Sequence, residues 1–167
     1  MPITPIADVD ESALNLVQLM HGVLERAVNG FESYNVPLPN RRYWTMGQPI
    51  IDCEQLVVAF IQMYLGPPGD EASRPQRCNS PRSAVLQVSI ARSIPVVSNH
   101  GKAPTPEKIQ EGAQISAVDA WTLMQIAADL DGWDEAGFGL GVISTVEAPV
   151  AEGGFQVVNM QLTLGVP

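Results

Sequence analysis

Charged side chains are scarce in this chain, at 16 % of 167 residues against roughly 25 % in an ordinary soluble domain. Basic ones are scarcer still: 9 Lys and Arg stand against 18 Asp and Glu, a formal charge of −9. Binding to nucleic acid through overall charge is therefore disfavoured, because phosphate binders are usually basic. Only two cysteines are present, too few to staple a fold of this size, and the chain reads as cytoplasm-made and reduced. The two histidines, His21 and His100, form no HExxH and no close pair, and no Cys-x-x-Cys occurs, so no metal site is expected. No apolar run approaches the ~18 residues of a membrane span. The opening MPITPIADVDES has neither a basic n-region nor an apolar h-region, so no secretory signal is expected.

Motifs for catalysis are missing as well. There is no Walker pattern and no Gly-x-Ser-x-Gly elbow. Gly137 to Gly141 (GFGLG) precedes a β-prone run instead of opening a helix, which suits turn glycines better than a phosphate loop. Cys53 lies between Asp52 and Glu54, and neighbouring carboxylates raise a thiol's pKa and blunt it as a nucleophile. The pairs Asp70-Glu71 and Asp134-Glu135 fall in polar turns, where solvation is their expected role. Trp44, Trp121 and Trp133 show no stacking platform with the arginines. No enzyme activity, cofactor or metal follows from these residues.

Hydrophobic residues make up 46 % of the chain, enough for a buried core in one domain spanning 1–167. Apolar residues at helical spacing (Leu16, Met20, Val23, Leu24, Ala27, Val28, Phe31) predict a helix from Asp8 to Tyr34, stopped by Gly30 and the Val36–Pro39 stretch. A short strand is predicted over Arg42–Gly47. Leu56–Leu65 is apolar on both alternating sets, a strand covered on both faces. Ser83–Ile94 alternates cleanly, with Ala84, Leu86, Val88 and Ile90 on one side. A second helix is predicted over Pro106–Leu130, capped by Thr105 with Pro106 at N1. It is apolar over so wide an arc that cover on more than one side is expected. Strands over Leu140–Glu147 and Phe155–Leu164 follow, joined by the turn-rich APVAEGG. The expected class is α+β: a mostly antiparallel sheet of about four to five strands, flanked by two long helices.

Charge is unevenly distributed. Residues 1–71 carry a net −6, residues 107–167 a net −8, and residues 72–106 a net +5 with no acid at all. One reading is a solvated basic loop. The other is a subunit with a positive and a negative patch, suited to head-to-tail contacts between copies. The second face of the best strands carries Gln87, Ser89, Asn159, Gln161 and Thr163 with hardly a charge. That composition fits either a plain polar outer face or a surface that something covers.

The segments NVPLPNRRYWTMGQPIIDCEQLVVAFIQMYLGPPGD, RPQRCNSPRSAVLQVSIARSIP, AVDAWTLM and GGFQVVNMQLTL resemble tail terminator proteins of long-tailed (siphovirus) phages infecting actinobacteria. The resemblance spans nearly the whole chain. Its most specific parts are Asp52-Cys53-Glu54-Gln55, Arg77-Cys78 and Ala91-Arg92-Ser93-Ile94-Pro95. It implies a structural virion protein without enzymatic activity or cofactor, made in the host cytoplasm and placed at the head-proximal end of the tail. The family assembles as a hexameric ring that caps the tail tube, stops its polymerisation and offers the surface joining the head. Its partners would be further copies of itself, the tail tube protein and the head–tail connector or stopper protein. Double-stranded DNA would pass through without specific binding, and no membrane is involved. The arginines expected at a subunit or ring contact are Arg41, Arg42, Arg74, Arg77, Arg82 and Arg92. A head-completion or connector-stopper protein is the nearest alternative. A small-molecule-binding domain with a site under the Gly66–Pro81 and Ser98–Thr105 loops is the more distant one.

Overall fold

The computed structural model describes residues 11–69, 82–96, 103–131, 142–152 and 154–166. Arg74, Arg77, Cys78, His100, Trp133, the 137–141 glycines, both acidic pairs and most of the loop after residue 69 lie outside them. The described elements run α1 (Glu11–Ser33), β1 (Arg41–Met46), β2 (Gln55–Leu65), β3 (Arg82–Ser93), α2 (Pro106–Asp131), β4 (Val142–Val146), β5 (Val150–Glu152) and β6 (Phe155–Val166). No helix among the described residues is long and apolar enough to cross a membrane.

Of the expected α1 stripe, Met20, Val23, Ala27 and Phe31 are fully enclosed together with Leu19, which was not part of it, while Leu16, Leu24 and Val28 are half-buried. Its stop differs from the expected one. Gly30 lies inside the helix, and the chain leaves it at Asn35, which takes the left-handed conformation (φ 54°). The Asn35 N–H donates to the Glu32 carbonyl at 3.0 Å and the Val36 N–H to the Phe31 carbonyl at 2.9 Å. These two bonds satisfy carbonyls that the helix end leaves without partners. Gly30 serves a different purpose. A Cβ there would stand 2.3 Å from Ile126 Cγ1, so glycine lets α1 and α2 cross closely.

Strands β1, β2, β3, β6 and β4 form one sheet in that order, and β5 pairs with β6, making six strands. The sixth is β5, inside the link expected to be only a turn. All pairings are antiparallel except β1 with β2. Consecutive strands with a short link were expected to pair antiparallel. Here residues 47–54 run back along β2 as a strap. A return over six paired residues needs ~20 Å, close to the ~26 Å reach of eight extended residues, so no crossover helix fits. The strap is tied down by a hydrogen bond from Gln55 Nε2 to the Ile50 carbonyl at 2.9 Å. It starts at Gly47 (φ 78°), whose N–H reaches the Phe60 carbonyl.

Alternation on the central strands matches the expectation. Ala84, Leu86, Val88 and Ile90 of β3 and Val158, Met160, Leu162 and Leu164 of β6 join both helices in one core. Helix α1 touches β1 and β2, and α2 touches β6 and β4, so both helices lie on one face. The opposite face is less open than its composition suggests. Val57, Ala59, Val85 and Ala91 are fully buried there. Strand β2 is enclosed on both faces only from Gln55 to Ala59, and it opens from Phe60 onward. At that point an irregularity between Phe60 and Gln62 shifts the register, and a β-bulge of this kind changes which residues share a face. Met63 and Leu65 consequently join Ala84 and Arg82 on the helix-bearing side.

Helix α2 begins as expected at Thr105, whose carbonyl accepts the Ile109 N–H at 3.2 Å. The expected cover on several sides is overturned. Ile109, Ile115, Val118, Trp121 and Met124 are all exposed, while Leu123, Ile126, Ala127 and Leu130 face the core.

A helical Gly→Ala change normally stabilises by about 0.5–1 kcal/mol. Gly30→Ala should instead destabilise by about 1–3 kcal/mol through overpacking against Ile126, read by urea denaturation. Combined with Ile126→Ala, the loss should fall short of the sum of the single losses by at least ~0.5 kcal/mol, because the two sites share one contact.

Candidate interaction surfaces

The candidate arginines separate into different environments. Arg92, near the end of β3, points into the protein. Its Nε donates to Asp119 Oδ2 at 3.0 Å and its Nη2 to Asp119 Oδ1 at 2.9 Å. Nη2 also donates to the Pro37 carbonyl at 2.6 Å. The Asp119 side chain is 1 % exposed and that of Arg92 13 %. This fork-to-fork pair ties β3, α2 and the segment after α1 together. Arg92 is thus an internal strut, mostly enclosed within the single chain.

Arg41 and Arg42 open the edge strand β1. Arg41 Nη1 lies 2.5 Å from Asp52 Oδ1, with both side chains about half exposed, and 3.4 Å from Cys53 Sγ. Its guanidinium sits 5.1 Å from the Tyr43 ring centroid. The hydrogen bond to Cys53, helped by the charge of Asp52, raises the Arg41 pKa above its ordinary value. A guanidinium is charged throughout the physiological range in any case. Arg42 Nε donates to the Pro39 carbonyl at 2.9 Å, and its Nη1 stands 3.9 Å from Glu32 at the end of α1. Both arginines therefore brace the strap and the α1 terminus while remaining exposed. Arg82 begins β3, is exposed, and has no ion-pair partner among the described residues. Beside it, Met63, Tyr64 and Leu65 line an open groove of about 320 Å³. Arg74 and Arg77 lie outside the described residues.

The remaining polar chemistry is structural. His21 Nε2 lies 3.2 Å from Glu25 one turn away, both exposed. Among the described residues no group of three or more His, Cys, Asp or Glu is placed to hold a metal. A groove of about 570 Å³ runs between the helices past Glu25, Arg26, Asn29 and Asp129. On the face away from the helices, Gln87 Nε2 donates to Ser89 Oγ (2.9 Å) and to Asn159 Oδ1 (3.2 Å). Ser89 Oγ donates to the same Asn159 oxygen at 2.7 Å. Ser89 is buried within the single chain, so the centre of this uncharged face is already covered and its polar groups are paired with each other.

The outer side of α2 is a surface of a different kind, apolar and without arginine. Ile115, Val118, Trp121 and Met124 recur every three residues and are each about half exposed. Tyr34 meets Trp121 edge-to-face, centroids 5.1 Å apart, extending the patch towards α1. Between Gly112 and Ala128 the only charged residue is Asp119, which is buried. The signal was present in the sequence as an uncharged helical run. Its exposure depends on how many sides the rest of the chain covers.

No family model matches the chain, and no curated protein matches it. Among solved structures, one similar protein aligns over 92 % of this chain and 95 % of its own length, at 16 % identity and a TM-score of 0.40. A likeness this distant carries no argument about function.

Removing one partner of a buried pair leaves an uncompensated charge. Asp119→Ala should cost about 3–5 kcal/mol in chemical denaturation. Arg41→Ala, which breaks an exposed pair, should change stability by no more than ~1 kcal/mol.

Proposed function

We propose that this chain is a structural virion subunit, a ring-forming tail terminator of a long-tailed phage. The observation that carries the structural role is the outer face of α2. Four large apolar side chains stand half exposed there, and the one charged residue between Gly112 and Ala128, Asp119, is buried. Contiguous apolar patches on soluble proteins mark contact sites, whereas isolated apolar residues are ordinary. The kind of assembly comes from the segment resemblance, which runs through β1, the strap, β2, β3, α2 and β6. An open α+β sheet with two long helices supports a terminator over a connector-stopper, since stoppers are often small β-barrels.

In this reading six copies close a ring at the head-proximal end of the tail. The ring stops tube growth and meets the tube protein on one side and the connector or stopper on the other. The subunit needs no cofactor and performs no catalysis. With a net charge of −9, an acidic ring would repel DNA phosphates and let the duplex slide where a basic lining would hold it.

Electron microscopy of recombinant protein mixed with polymerising tail tubes tests this reading. The expected result is a six-fold ring on one end of each tube, with elongation halted at that end. Tubes that continue to grow and carry no ring at saturating protein would overturn it.

A further inference from the structure

We infer that the outer face of α2 docks on a second copy of this chain, in the groove beside Arg82 at the end of β2 and β3. The assignment rests on the ring reading only for the number of copies, and the contact itself is argued from the two surfaces. The first surface is the stripe Ile115, Val118, Trp121 and Met124. Four large side chains, each half exposed, present on the order of 400 Å² of apolar area, within the ~300–600 Å² of the largest patches on monomers. A standard interface buries about 800 Å² per partner. One such stripe therefore makes only a weak two-body contact, populated at high protein concentration and reinforced when a ring closes.

The second surface lies at the far end of the sheet. The register shift after Phe60 turns Met63 and Leu65 to the helix-bearing side, yet both remain exposed. With Tyr64 and Arg82 they line the open groove of about 320 Å³. Apolar walls and one cation with no ion-pair partner among the described residues are what an apolar helix with acidic ends would complement. Helix α2 has that character. Glu107 and Glu111 stand exposed two turns and one turn before Ile115, outnumbering the exposed Lys108 between them, and Asp129 is exposed near the helix end.

Charge also decides between a second copy's groove and its own α2. Two α2 faces packed on each other, in either orientation, would bring acidic ends against acidic flanks, and like charges at contact are unfavourable. Docking α2 against Arg82 pairs opposite charges. Because the two patches differ, the contact is heterologous and its repetition closes a ring or grows a filament.

A heterologous contact has separable halves, which gives a direct test by sedimentation velocity over a concentration series up to about millimolar. Val118→Glu blocks the helix half and Arg82→Glu the groove half. Each variant alone should associate at least tenfold more weakly than the unaltered chain, while circular dichroism and melting temperature stay unchanged. Mixed in equal amounts, the two should form a one-to-one dimer that does not grow, because one intact helix face meets one intact groove. Trp121→Ala serves as a second helix-face variant should Val118→Glu disturb folding. Association of either single variant at the unaltered strength, a monomeric mixture, or an unaltered chain that stays monomeric throughout would overturn the contact. Mixed dimers together with bare, growing tail tubes would keep the contact and overturn the tail-terminator reading. Rings on tubes built normally from Val118→Glu subunits would do the reverse.

Discussion

The pairing of β3 with β6 organises everything else in this protein. Their twelve-residue antiparallel register sets two faces by simple alternation, because successive side chains on a strand point to opposite sides. One face gathers Leu86, Val88, Ile90, Val158, Met160 and Leu162. Each large side chain enclosed there contributes roughly 1.5–3 kcal/mol relative to exposure, and the two helices are the elements that enclose them. The other face is held by small residues and the Gln87–Ser89–Asn159 hydrogen bonds, and among the described residues every buried polar side-chain atom has a partner.

Two contacts then fix how the helices sit on that sheet. Glycine at position 30 removes the side chain that would collide with Ile126, so the helices approach closely. The Arg92–Asp119 pair pins the middle of α2 to the end of β3. Once both are made, the rotation of α2 about its axis is decided. Leu123, Ile126, Ala127 and Leu130 face inward, and Ile115, Val118, Trp121 and Met124 face out. The outward stripe is thus a consequence of satisfying a buried charge and a close crossing, and an assembly partner would supply the cover that the single chain lacks.

Much of the architecture was legible in residue order. Alternation in β3 and β6, the α1 stripe and the Thr105 cap could be read directly, because each is a local pattern whose period matches its element. The parallel pairing of β1 with β2 could not, since a strap of eight residues returns without any helix to announce it. Nor could the end of α1. Glycine is the usual stop signal, but Gly30 is spent on the helix crossing and Asn35 takes the left-handed position. Among the candidate interface residues, the pairing of Arg92 was not legible in residue order. Its partner Asp119 lies 27 residues away on another element.

Composition and periodicity alone determined that this is an acidic α+β chain, poor in charge, whose strands and helices carry apolar faces of the correct period. These are properties of neighbouring residues and need no knowledge of the fold. Only the tertiary structure decided which of those apolar faces is enclosed and which is left bare. Periodicity counts the apolar sides of α2, while burial depends on the distant surfaces that reach them. Here the sheet and α1 reach one side, so half of an apolar helix became core and half became surface.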